Sequence, residues 1–253
     1  MKILLTNDDG IYSRGINNLV KVLNNKNHKL AVVAPDRERS AAGHSISIHQ
    51  PLRVEEVNFN NLKDVQFFKI SGTPADSVKL GIDTLIDFTP DLVISGINHG
   101  GNLGYDVLYS GTVSAAIEGW MMGYTAIAVS LNIDNNELYL DSARIFHEYI
   151  FSHIERFLDE HMLLNINLPD KKKEEIEGIE ITKLSKSLYE DYYETRVDPM
   201  GKSYYWLNGN IKQNYESDSD IAALEQNKIS ITPLQLNLTN QKHRKKLENF
   251  IKN

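Results

Sequence analysis

The sequence contains no cysteine, which excludes a disulfide framework, a thiolate metal site and a Cys nucleophile. It lacks any apolar run of membrane-spanning length, and only four residues separate Lys2 from Asn7, too few for the apolar stretch of a signal peptide. Positive charge is in deficit, with 27 Lys and Arg against 34 Asp and Glu and a formal net of -7. A general electrostatic grip on nucleic acid or on an anionic membrane is therefore disfavoured, while a local site for a small phosphorylated ligand is not. The expectation is a soluble, cytoplasmic protein that partners neither nucleic acid nor membrane. Low complexity and internal repeats are absent too. The 253 residues, 41% hydrophobic and 24% charged, suit one large domain or one domain plus an appendage.

Short runs rich in Ile, Val and Leu alternate with segments of helical period, the pattern of an α/β fold whose mostly parallel sheet is flanked by helices. Strands are expected at Ile3–Thr6, Leu30–Ala34, Phe67–Ser71, Leu92–Ser95, Ala126–Ser130 and Leu163–Leu168. Their near-continuous hydrophobicity predicts burial on both faces. Helical stripes are formed by Ile16, Leu19, Val20 and Leu23, by Val78, Ile82, Leu85 and Ile86, and by Val113, Ala116, Ile117, Trp120 and Met121. Thr73-Pro74-Ala75-Asp76 has the composition of a capping box with Pro at the first helical position. A longer helix is expected from about Leu140 to Leu158, with Ala143, Phe146, Ile150, Ile154 and Phe157 inward. After Pro169 the texture changes to a charge run and then to alternating segments at Ile179–Thr182, Tyr204–Leu207 and Ile229–Thr232. This divides the chain into a core at 1–169 and a smaller strand-rich C-terminal extension at 170–253, which ends in a solvated helix over Gln241–Asn253.

Chemistry-bearing residues recur where strands end. The first strand runs into Asn7-Asp8-Asp9-Gly10. In an open parallel sheet the carboxyl ends of the strands face the ligand crevice. Successive side chains in a strand oppose each other, so Asp8 and Asp9 converge only if the chain turns, which Gly10 permits. Two carboxylates so close call for a cation or a shared proton; a plain Asp-Asp-Gly turn is the other reading. The second strand leads into Asp36-Arg37-Glu38-Arg39-Ser40-Ala41-Ala42-Gly43-His44-Ser45, whose small residues and successive N–H groups suit an anion. His44 is open between a donor behind the site, a general acid and a packed histidine. The fourth strand leads to Ser95-Gly96-Ile97-Asn98 and a glycine-rich stretch at the same edge. Asp8, Asp9, Ser40 and Asn98 form an all-oxygen set, which favours Mg²⁺, Mn²⁺ or Ca²⁺ over Zn²⁺. Ser110-Gly111-Thr112 opens the third helix, where free N–H groups favour a phosphate and a simple N-cap is the alternative.

Taken together, LLTNDDGI, VVAPDRERSAAGHSI, SGTPADSVKL, SGINHGGNLGYDVLYSGTVSAAIEG and ISITPLQ closely resemble the survival protein SurE family of metal-dependent 5′-nucleotidases, from the first residues to about Asn240. The resemblance implies a Rossmann-like core and a C-terminal portion exchanged between subunits of a homodimer, sometimes paired into a homotetramer. It implies one divalent ion per subunit, Mg²⁺ or Mn²⁺, on Asp8, Asp9, Ser40 and Asn98. Phosphate-binding elements fall on Gly43, His44 and Ser45, facing Ser110, Gly111 and Thr112. Nucleoside monophosphates are the implied substrates, with short polyphosphate accepted by several members. Where relatives commonly carry a Gly and basic residues, this chain has Ser185-Lys186-Ser187-Leu188 ahead of Tyr189-Glu190-Asp191, a departure that touches substrate preference and arm exchange.

The expected chemistry is hydrolysis of a phosphate monoester by water, with Asp8 and Asp9 at its centre and His44 available for proton transfer. Two other classes use similar features. A phospho-accepting signalling domain needs an acceptor Asp at another strand end, where this chain has Asn98. A non-catalytic nucleotide-binding scaffold would keep the glycine loops without needing paired carboxylates. A haloacid-dehalogenase-type phosphatase separates its two Asp residues by one position, whereas Asp8 and Asp9 are adjacent.

Overall fold

A computed structural model describes residues 1–24, 27–59, 62, 64–133, 138–186, 189–211 and 215–252. Ser187 and Leu188 of the departing stretch, and Asn253 at the end of the terminal helix, lie outside the described residues.

A nine-stranded sheet organises the chain. Its strands are β1 (Lys2–Thr6), β2 (Lys29–Pro35), β3 (Val54–Glu56), β4 (Gln66–Ile70), β5 (Leu92–His99), β6 (Thr125–Asn132), β7 (Leu163–Pro169), β8 (Ile179–Ile181) and β11 (Ile229–Pro233). The order is β3-β4-β2-β1-β5-β6-β7-β11-β8, and the six strands from β4 to β7 run parallel. The sheet is thus mostly parallel with helices on both faces, as the alternation of apolar runs implies. Period-two alternation sorts its side chains: Ile3, Leu5, Val32, Ala34 and Ile94 face one core, and Leu4, Ala31, Val33 and Val93 the other. The first core is covered by α1 (Arg14–Leu23) and α4 (Tyr139–Tyr149), the second by α2 (Pro74–Leu80) and α3 (Gly111–Met121). The capping box at Thr73 is present, with Asp76 N–H donating to the Thr73 hydroxyl at 3.0 Å and Thr73 N–H to the Asp76 carboxylate at 2.9 Å.

The sheet continues past Pro169. β11 pairs antiparallel with β7, and β8 pairs parallel with β11, so two strands of the 170–253 portion extend the sheet of the core. The remainder comprises an antiparallel hairpin, β9 (Tyr189–Val197) with β10 (Ser203–Ile211), a short helix α5 (Asp220–Glu225) and α6 (Gln241–Lys252). Leu247, Phe250 and Ile251 on α6 are exposed, as expected of a solvated helix.

Three local expectations need correction. The single helix over 140–158 is two pieces: α4 ends at Tyr149 and a 3₁₀ segment, Phe151–Glu160, follows. Ile150, Phe151 and Ile154 are buried, whereas Phe157 is exposed, so the inward stripe ends before the segment does. Val78 and Leu85 do not share one α-helix, because α2 gives way to a π turn at Gly81–Leu85, where Gly81 lies against Val33. Met121, at the last turn of α3, is exposed rather than inward.

Candidate functional site

The strand order puts a topological switch point between β1 and β5. From β1 the chain winds outward through β2 and β4; from β5 it winds the other way through β6 and β7. In such sheets the crevice beyond the carboxyl ends of the two central strands binds the ligand. Asp8 and Asp9 follow β1, and Asn98 lies on β5 itself, which runs four residues past the expected Leu92–Ser95, across a register shift between Ser95 and Asn98. Gly96 permits that irregularity: its φ is +139°, and a Cβ there would lie 2.2 Å from the Val129 carbonyl oxygen.

Hydrogen bonds from three other segments fix the acidic pair. Gly10 turns the chain with φ +93°, and Ile11 N–H then bonds to the Pro35 carbonyl at 3.0 Å, joining the ends of β1 and β2. Arg39 N–H donates to the Asp8 carbonyl at 2.8 Å, which brings the Ser40 loop alongside. The Thr112 hydroxyl donates to Asp8 Oδ1. Gly111 abuts the same side chain so closely that a Cβ would be 2.8 Å from Asp8 Cβ. His99 N–H donates to Asp9 Oδ2 at 3.1 Å. Segments distant in sequence, around residues 8, 40, 98 and 111, therefore meet at one edge.

Burial makes this edge electrostatically costly. It raises the Asp8 carboxyl above its ordinary range, with Thr112 pulling the other way, and pushes Asp9 up to about 6, reinforced by the neighbouring Asp8 charge. Among the described residues no group of three or more His, Cys, Asp or Glu side chains gathers to hold a metal ion. A hard cation here would have to draw on amide and hydroxyl oxygens beside the two carboxylates, and those are present. Asn98 donates its Nδ2 to the Gly100 carbonyl at 2.8 Å, which leaves its amide oxygen for a cation. Ser40 donates its proton to Glu38, so its lone pairs remain. Thr6 Oγ1, Asn7 Oδ1 and Ser95 Oγ lie near the carboxyl ends of β1 and β5, buried and without hydrogen-bond partners. This donor set fits a hard divalent ion.

The remaining expected residues divide. Gly43 has φ +54° and its N–H bonds to the Tyr109 carbonyl at 3.0 Å, stitching the loop after β2 to the approach of α3. Ser110 is the N-cap of α3, its Oγ accepting from Val113 N–H at 3.1 Å, which leaves the Gly111 and Thr112 N–H groups outside that bond. Ser45 turns back on its own loop, donating to the Ala42 carbonyl at 3.0 Å. His44 Nε2 lies 2.8 Å from Glu118 Oε2, and Lys79 Nζ donates to the other oxygen of that carboxylate at 2.8 Å. Ser185 is buried against Gly104, and its N–H donates to Asp220 at 3.0 Å, which places this residue beside the glycine-rich loop after β5.

Four residues of this neighbourhood escape a reading by sequence alone: Glu38, His99, Glu118 and Tyr139. Glu118 had a visible signal as the sole charged residue in the stretch Gly111–Met121. The other three are marked only by where the fold brings them.

Comparison with known proteins gives a consistent set of relatives. The family model described as survival protein SurE matches residues 3–191. The chain is similar to 5′-nucleotidase SurE of Carboxydothermus hydrogenoformans, 49% identical with 100% of this chain and 97% of the relative covered. It is similar to 5′-nucleotidase SurE of Kosmotoga olearia at 47% identity, covering 98% and 97%. Among solved structures it matches the SurE protein from Aquifex aeolicus with a TM-score of 0.82 at 36% identity, covering 99% of each chain.

Proposed function

The chain belongs to the survival protein SurE family, and from that premise we propose that it is a 5′-nucleotidase, hydrolysing nucleoside monophosphates to nucleoside and phosphate with one divalent ion, Mg²⁺ or Mn²⁺. The observation that carries the reading is that the loop holding Ser40 and the strand holding Asn98 are bonded to the acidic pair at the β1/β5 switch point, through Arg39 N–H to the Asp8 carbonyl and His99 N–H to Asp9. These four would hold the ion. When bound, it supplies neutralisation of phosphoryl charge and a more acidic attacking water.

The protein's own groups account for the rest. Thr112 keeps Asp8 oriented, and Gly111, having no Cβ, lets the start of α3 close on it. The N–H groups of Gly111 and Thr112, with the Gly43–Ser45 loop facing them, hold phosphoryl oxygens at a helix N-terminus. His44 has its Nε2 tied to Glu118, so any proton it passes to the leaving oxygen travels through Nδ1. No phosphoenzyme is required, and Asn98 at the end of β5 cannot form an acyl phosphate, which separates this reading from a signalling domain.

The same edge is proposed to accept short polyphosphate. The β9–β10 hairpin exposes Tyr193, Tyr205, Trp206 and Leu207, and this supports assembly as a homodimer or homotetramer through exchanged C-terminal arms. No helix among the described residues is long and apolar enough to cross a membrane; a cytoplasmic enzyme is the proposed setting.

The test is phosphate release from nucleoside 5′- and 3′-monophosphates, polyphosphate and an aryl phosphate, with Mg²⁺, Mn²⁺ or chelator. Asp8→Asn is expected to lower turnover on the order of 10³-fold with the fold intact. Near-normal turnover by the folded variant, or full activity in chelator, overturns the reading. A stable protein adduct after incubation with a small phosphodonor would favour the signalling class.

A further inference from the structure

The two flanks of the acidic edge differ. Asp8 faces the start of α3 through Thr112 and Gly111. On the other side, Asp9 forms one wall of an open cleft of about 300 Å³, whose further lining includes Arg14, Glu38, His99 and Tyr139. If the phosphoryl group occupies the α3 flank, the ester's leaving group must extend away from it. We propose that the cleft beside Asp9 is the nucleoside subsite, with the His99 and Tyr139 rings as its stacking wall. This rests on the reading of the acidic edge as the phosphate end.

The wall is held on both sides. The His99 backbone is fixed by its N–H bond to Asp9 Oδ2 at 3.1 Å, and its Nδ1 is hydrogen-bonded to the Tyr139 hydroxyl. The two rings lie within 24° of parallel with centroids 6.1 Å apart. Tyr139 is buried and His99 is exposed, so one ring anchors and the other presents its surface. A flat, polarisable wall suits a nucleobase, because base–aromatic stacking tolerates any base. Arg14 and Glu38 bring a donor and an acceptor to the same cleft, which suits ribose hydroxyls and base edges better than an alkyl chain. The volume is at the small end for ligand sites, matching a single nucleoside rather than an oligonucleotide.

Calorimetric titration of adenosine into the full chain in chelator tests this without requiring turnover. The unmodified protein is expected to bind; His99→Ala should weaken binding roughly tenfold, and His99→Phe, which keeps a ring face, should restore most of it. In the metal-loaded protein, the ratio of kcat/KM for AMP to that for ribose 5-phosphate, which lacks the base, should fall by a similar factor in His99→Ala. Failure of adenosine to bind, binding unaffected by His99→Ala, or binding lost instead in Tyr109→Ala on the opposite flank overturns the subsite. Absence of metal-dependent phosphate release from every ester would overturn the nucleotidase reading, and the adenosine titration would still decide the subsite.

Discussion

The crevice between β1 and β5 and the β9–β10 hairpin use similar amounts of chain in opposite ways. At the crevice, polar side chains are drawn inward and fixed: Asp8 is buried against Thr112, Asp9 is tied to β5, and glycines stand where a Cβ would collide with backbone. On the hairpin, aromatic side chains point outward, and its strands pair only with each other among the described residues. The contrast separates two kinds of constraint. Crevice residues are specified by what surrounds them within the chain, whereas the hairpin's exposed rings pack into no hydrophobic core among the described residues.

Substituting glycine in each region measures the difference. Gly96→Ala places a Cβ 2.2 Å from the Val129 carbonyl oxygen at a φ of +139° and is expected to cost more than about 3 kcal/mol in denaturant unfolding, or to prevent folding. A second measurement probes the crevice by pH. Asp9 holds its proton more tightly in the folded chain than in the unfolded one, so its ionisation opposes folding by up to about 3 kcal/mol. In chelator that penalty is fully present at pH 7 and is relieved as pH falls through about 6 toward 3.8. Asp9→Asn should be more stable than the unmodified chain at pH 7, with the advantage shrinking toward pH 4; equal stability at both would remove the proposed strain at the edge. The smallest effect belongs to the hairpin turn, where Gly201 has φ +80° and open space around it. Gly201→Ala should cost only about 1 kcal/mol. A cost equal to that of Gly96→Ala would erase the distinction between the regions.

The sequence was most legible where one physical cause dominated. The central strands β1, β2, β5, β6 and β7 are buried on both faces, so their apolar runs were enough to locate them. The Thr73 capping box was legible because it is a local motif. The strand β3 was not, since its three residues are all exposed and carry no hydrophobic pattern. Nor was the change of winding after Tyr149, because the apolar residues Ile150 and Ile154 continue the helical spacing across it. Among the candidate site residues, Asp8, Asp9, Ser40 and Asn98 were visible in the sequence because each lies at or beyond the carboxyl end of an apolar run. His99, Glu118 and Tyr139 have partners distant along the chain: His44 and Glu118 are 74 positions apart, and His99 and Tyr139 are 40.

The seating of β11 between β7 and β8 bears on how the chain is built during synthesis. β8 leaves the ribosome well before β11, yet β11 is its sole neighbour in the sheet among the described strands. Residues 179–181 must therefore wait for this partner until residue 231 has emerged. A nascent chain halted near residue 225 would display that unfinished margin to passing chaperones.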